Sequence, residues 1–124
     1  MIGYSTLGSN DMEKGKAFYD AVLAELGGKR SMAIEDKMQF WANDAGVPMF
    51  GICKPFDGKA ASVGNGGMIA LFAPTQTLVD QTHAKALAAG GTDEGAPGDR
   101  GGGFYGAYFR DLDGNKICVF NTPA

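Results

Sequence analysis

The chain repeats itself. Leu7 matches Leu71, Asp11 matches Thr75 and Gly27 matches Gly91, all at one offset, and the pair Ile52-Cys53 returns as Ile117-Cys118 near the end of the second half. Each half reads as a strand, a helix and then two or three strands. A βαβββ unit cannot cover both faces of its sheet with one helix. Two such units are therefore expected to pair, with their open sheet faces enclosing a cleft. The fold class expected is α+β, with a first module over residues 1–56, a linker over 57–67 and a second module over 68–124.

The elements follow from local patterns. "IGYSTLG" (Ile2 to Gly8) alternates as a strand, and "SND" then supplies a helix cap. From Met12 to Leu26 the apolar residues fall on one helical face, and Gly27-Gly28 ends the run. Three short strands are expected over Arg30 to Glu35, Lys37 to Ala42 and Pro48 to Lys54. "PFDGKAASVGNGG" (Pro55 to Gly67) has linker composition. The pattern restarts with the strand "MIALFA" (Met68 to Ala73) and a helix capped at Thr75. Leu78, Val79, Ala86 and Leu87 are expected on one side of that helix, and Gly90-Gly91 closes it. A glycine-rich loop then leads to "FYGAYF", the turn "DLDGN" and the last strand "KICVF". Period-2 alternation puts Ile117 and Val119 under the helices and aims Cys118, and likewise Cys53, at the cleft.

Composition narrows the functions. A net charge of −3 with no basic run argues against a nucleic-acid binder. No apolar run approaches the roughly 20 residues that span a bilayer. "MIGYSTLG" has no basic segment followed by an apolar one, so the expected location is the cytoplasm. Two cysteines in such a chain favour free thiols over a disulfide. The single histidine, His83, excludes a site needing two histidines from one chain. Amid "DQTHAK" it is expected to be exposed on the second helix.

Two segments carry a family resemblance. "LGSNDMEKGKAFYDAVLAELGG" resembles the opening strand and "D-x-x-x-x-x-x-F-Y" helix of the vicinal oxygen chelate superfamily, which includes glyoxalase I, bleomycin and fosfomycin resistance proteins and extradiol dioxygenases. "YFRDLDGNKICVF" resembles the family's "F-x-D-P-D-G-x-x-I-E" ending. The resemblance implies four metal-ligand positions, occupied here by Tyr4, Cys53, Met68 and Cys118, where His or Gln, Glu, His and Glu are usual. None of the usual residues is present, so no metal or other cofactor is expected. Hard ions want carboxylates, and a closed zinc site wants four nitrogen or sulfur ligands. The cysteines read either as small apolar fillers or as a redox or nucleophilic pair helped by Lys54 or Lys116.

The resemblance also implies a cleft-facing Tyr108, and alternation places Arg110 on the same face, where it could hold a carboxylate or phosphate. The expected ligand-binding set is thus Tyr4, Cys53, Met68, Tyr108, Arg110 and Cys118. Alternation sends one of Phe40 and Trp41 toward the helix and the other toward the cleft or a partner, and does not say which. Met32, Met38, Met49 and Met68 could soften a pocket. "GGGFYG" spells G-x-G-x-x-G but precedes a strand, so it reads as a loop at the cleft mouth and not as a dinucleotide site. "DLDGN" lacks the remaining ligands of a calcium loop and reads as a hairpin turn. The expected function is metal-free binding of a small organic molecule by a homodimer, as in bleomycin resistance. The competing reading is a lyase or isomerase resembling lactoylglutathione lyase, or a thiol-dependent enzyme using Cys53, Cys118 or Tyr4.

Overall fold

The computed structural model describes residues 1–123. It contains β1 (Tyr4–Gly8), α1 (Met12–Ala24), β2 (Lys29–Ile34), β3 (Met38–Ala42), β4 (Met49–Cys53), β5 (Ile69–Phe72), α2 (Gln76–Ala88), β6 (Thr92–Asp99), β7 (Tyr105–Arg110) and β8 (Lys116–Asn121). The strands form two four-stranded sheets of identical topology, β1-β4-β3-β2 and β5-β8-β7-β6. In each, the first strand runs parallel to the last and the others are antiparallel. The repeat in the sequence is thus a repeat in space, two βαβββ modules.

Equivalent signals set both helices. Asp11 accepts from the Lys14 N–H at 3.1 Å and Thr75 from the Leu78 N–H at 3.2 Å, each satisfying one open donor of a first turn. At the other ends, Gly27 and Gly90 take φ of +79° and +106°. The next N–H, of Gly28 or Gly91, then reaches back 2.8 Å to Leu23 or Ala86.

The helices fill the space between the sheets. Phe18, Tyr19, Val22 and Leu23 of α1 join Val79 and Ala86 of α2, Trp41, Phe50 and Ile52 of the first sheet, and Phe109, Ile117 and Val119 of the second in one core. Phe18 reaches across to Phe109, ring centroids 6.2 Å apart. Each sheet therefore has a helix-covered face and an open face.

Three expectations change. His83 is buried, 5% exposed, because the covered face of α2 runs Val79, Thr82, His83, Ala86. Its Nε2 lies 3.0 Å from Asp93 Oδ1, which satisfies the imidazole at the edge of the core. Leu87, expected among the covered residues, is 37% exposed. The strand β6 replaces part of the expected glycine-rich loop. Its sequence TDEGAPGD carries no apolar alternation because it is a largely exposed edge strand, held by its ladder to β7 with two register shifts.

Candidate functional site

The pairing register assigns the open faces. On the first sheet Phe50 and Ile52 point to the helices, so Met49, Gly51 and Cys53 point the other way. Their ladder partners place Tyr4, Thr6, Met38 and Phe40 beside them. Trp41 is the helix-facing member of its pair: its indole N–H donates to Asp20 at 3.0 Å, and its ring packs on Tyr19 and Phe50. Phe40 faces the open side yet is only 1% exposed. It lies flat over Gly51, where a Cβ would come within 2.7 Å of the ring, and the edge-on ring of Tyr4 covers it at 5.2 Å. This is an aromatic floor.

On the second sheet Ile117 and Val119 point to the helices, and Lys116, Cys118 and Phe120 point away. The ladders place Arg110, Tyr108 and Gly106 beside them on one side, and Ala70 and Phe72 on the other. Phe104 folds back over Gly106 and stacks on Phe120 with centroids 5.1 Å apart and planes 8° apart. Phe72 meets Phe120 edge-on at 5.7 Å. At the other end, the Arg110 guanidinium donates to Glu94 and to the Gly114 carbonyl. Arg110 and Lys116 also line a cavity of about 480 Å³ whose far wall is the linker from Val63 to Met68.

Of the six expected site residues, Tyr4 and Cys53 thus share one open face, while Tyr108, Arg110 and Cys118 share the other with Met68 at its margin. The two groups lie on separate sheets, with no ladder joining those sheets among the described residues. Sequence reading names Lys116 only as a neighbour of the thiol and Phe104 only as part of the loop at the cleft mouth, and it does not single out Arg100, Phe72 or Phe120 for this open face. Alternation from Cys118 reaches Lys116 and Phe120, but the inward fold of Arg100 and Phe104 has no local signal.

The two thiols differ. Cys118 is 1% exposed beneath Tyr108, and burial pushes its thiol above the ordinary range. The Tyr108 contact and the Arg100 and Lys116 charges oppose that push without overcoming it. The Tyr108 phenol is itself raised, chiefly by burial. Such a thiol is mostly protonated near neutrality and is a poor nucleophile or soft-metal ligand. Cys53 is half-buried, and its neighbour Lys54 is paired with Asp36 at 3.0 Å.

A metal at the four strand-end positions implied by the resemblance does not fit these donors. A phenol, a thioether and two thiols, one of them buried and raised, offer no carboxylate or imidazole. Among the described residues, no three His, Cys, Asp or Glu side chains come together as a metal site. Nor, among them, is any helix long and apolar enough to cross a membrane.

Comparison with known proteins agrees with the architecture. A search of curated proteins found no match. Among solved structures, a glyoxalase/bleomycin resistance protein from Albidiferax ferrireducens T118 is 40% identical with a TM-score of 0.87, covering 98% of each chain. Two more distant structures share the fold. A lactoylglutathione lyase from Agrobacterium tumefaciens is 21% identical with a TM-score of 0.71, over 98% of this chain and 92% of the other. A fosfomycin resistance protein from Listeria monocytogenes is 18% identical with a TM-score of 0.74, over 99% and 93%. The profile of the Glyoxalase/Bleomycin resistance protein/Dioxygenase superfamily matches residues 1–119, and with the paired modules and the 40% identical relative this chain belongs to that family.

Proposed function

We propose that the protein binds a small organic molecule in a metal-free cleft and acts by holding it, in the manner the name bleomycin resistance protein suggests for its relative. The observation that carries this reading is the replacement of metal donors by aromatic and thiol side chains on both open faces. Tyr4 and Phe40 form one floor, and Phe72, Phe104 and Phe120 form the other. Rigid rings of this kind suit a binding pocket for a flat apolar body. Family lyase chemistry of the lactoylglutathione kind would need a metal to polarise vicinal oxygens, and the donors for one are missing.

The cleft is completed in this reading by a second copy of the chain. Among the described residues, the outer strands β1 and β5 each leave one backbone edge without a ladder partner. Beside β5 runs a groove of about 610 Å³, lined by Ile69 and Leu71 on one side and by Ser5, Trp41 and Phe50 on the other. Tyr4, Met32, Ile34, Met68 and Phe72 are all 43% exposed or more, which is extensive apolar surface for a lone domain. Setting β1 of one copy along β5 of the other would join the two open faces and bring Tyr4 and Cys53 opposite Met68 and Cys118.

The test is thermal stability. An aromatic compound that fits should raise Tm by several degrees when present at about a hundred times its Kd, a gain of roughly 2.7 kcal/mol. Zinc, nickel, manganese or iron should leave Tm unchanged. A metal-dependent rise that disappears in the Cys53→Ala, Cys118→Ala double variant would overturn the metal-free reading.

A further inference from the structure

The open face of the second sheet is polarised along its length. Tyr108 is bracketed by two cations, with the Arg100 guanidinium carbon 5.6 Å and the Lys116 Nζ 5.4 Å from its ring centroid. Among the described residues neither cation has a carboxylate partner; the Arg100 guanidinium makes one hydrogen bond, 2.6 Å to the Ala96 carbonyl. The nearby acids are engaged elsewhere. Glu94 pairs with Arg110, Asp99 accepts from the Gly101 N–H at 2.7 Å, and Asp93 faces His83. Gly95, opposite Tyr108 in the ladder, leaves room for Arg100 to fold in: a Cβ there would lie 3.2 Å from its Nη2.

The other end is wholly aromatic, with Phe104 stacked on Phe120 and Phe72 edge-on against it. Same-face residues on a strand stand about 7 Å apart, so Lys116 and Phe120 are separated by roughly 13 Å with Cys118 between them. A chain with an overall charge of −3 thus holds two unpaired cations at one end of an aromatic trough. Cation–π contact with Tyr108 holds them in place without neutralising them.

We propose that this face selects an extended aromatic anion, its carboxylate placed between Lys116 and Arg100 over the edge of Tyr108 and its rings lying along Phe104, Phe120 and Phe72. The inference rests on the organic-ligand reading above and adds to it the charge and polarity of the ligand. Arg110 lies beyond the anion subsite. It is already committed to Glu94 and Gly114 and serves as the rim of the linker cavity. Charge-assisted hydrogen bonds from two cations supply the selectivity, and stacking supplies the rest of the affinity.

Two probes of the same shape test it, 2-naphthoate and 2-naphthalenemethanol, titrated calorimetrically into the whole protein. The expected result is at least about tenfold tighter binding of the acid, the usual scale for one charge-assisted hydrogen bond. That preference should weaken with added salt and collapse towards unity in the Lys116→Gln, Arg100→Gln double variant, whose unaltered Tm would show an intact fold. Equal affinity for acid and alcohol in the native protein overturns the anion subsite and leaves the organic-ligand reading standing. A preference that survives the double variant also overturns it. Failure of both probes to bind at millimolar concentration, while other aromatics raise Tm, overturns this assignment alone. Failure of every organic probe overturns both.

Discussion

The Tyr19 phenol on α1 donates to Asp111 Oδ2, 92 residues further along the chain, and this buried hydrogen bond fastens the first module to the second. Asp111 is 4% exposed, and its other oxygen accepts from the Asp113 and Asn115 N–H groups at 2.9 Å each. Asn115 closes the joint by donating to Asp111 at 3.0 Å and to the Gly8 carbonyl at 3.0 Å. Asn10 adds a contact, its N–H 2.7 Å from Asp113. The "FY" of the first family segment and the "DLDGN" of the second therefore meet in space.

Breaking that joint should destabilise the whole domain. Tyr19→Phe leaves a buried carboxylate short of one donor, and the expected loss is about 1–3 kcal/mol. Asp111→Ala strands the phenol, two backbone N–H groups and the Asn115 amide together, so a larger loss is expected, on the order of 3 kcal/mol or more. Urea unfolding followed by Trp41 fluorescence measures both. Equal stability of Tyr19→Phe and the parent would show that the bond contributes nothing net.

The floor beneath Tyr4 makes a second prediction. A Cβ on Gly51 would meet the Phe40 ring at 2.7–2.8 Å and the Gln39 carbonyl at 3.1 Å. The ring is held between strand and Tyr4 and cannot simply swing away. Gly51→Ala should cost about 1–3 kcal/mol as an overpacked site. Gly64→Ala, in the linker where a Cβ meets nothing within 4 Å and the backbone is not left-handed, is the control and should cost little.

The parts of this fold that were legible in the sequence are those specified locally. Caps at Asp11 and Thr75 and glycine pairs at the helix ends mark both helices, and the repeat of Ile-Cys marks equivalent last strands. The strand β6 was not legible, because an edge strand exposed along most of its length needs no apolar alternation and takes its shape from β7. His83 was misjudged because the buried face of α2 is built partly from Thr82 and His83, which weakens the apolar period. The Tyr19–Asp111 joint and the inward fold of Arg100 are long-range facts. Alternation settled which face Cys53 and Cys118 occupy, but not that Phe40 rather than Trp41 shares it, since both are large and aromatic.

Alkaline pH should unfold the protein earlier than exposed groups would. The Cys118 thiol and the Tyr19 phenol are both raised, above ordinary values of 9.0 and 10.0, first by burial. Each keeps its proton in the native state at a pH where the unfolded chain releases it. Their stabilising contribution is full below the unfolded values and is lost as pH rises through the folded ones. Stability by urea titration should therefore begin to fall near pH 9, and Cys118→Val should delay the onset. On the acid side Asp20 is lowered, chiefly by its hydrogen bonds from Arg30. Its contribution is present above the unfolded value of 3.8 and is lost as pH falls below it.

Alkylation should separate the two cysteines. Cys53 is half-buried and Cys118 is covered by Tyr108 with a raised thiol, so iodoacetamide at neutral pH should label Cys53 first. Peptide mass spectrometry gives the order. Faster labelling of Cys118 would mean that Tyr108 moves aside readily or that the thiol is activated, and either would revive a thiol-dependent reaction.

The unpaired edge of β5 bears on assembly. Ala70 is exposed there, between Cys118 on one side and the open groove on the other, and it contributes little to the core of its own chain. If β1 of a second copy docks along this edge, a carboxylate at position 70 would be desolvated at the junction of the two sheets without a partner, at a cost of several kcal/mol. Light scattering at micromolar concentration should therefore give a dimer for the parent and a monomer for Ala70→Glu, with the monomer retaining its circular dichroism. The same variant should lose aromatic-ligand binding, because in that arrangement each cleft would take half its wall from the other copy. A parent that is monomeric and still binds its ligand would show that one open face suffices and that the edges of β1 and β5 remain unpartnered.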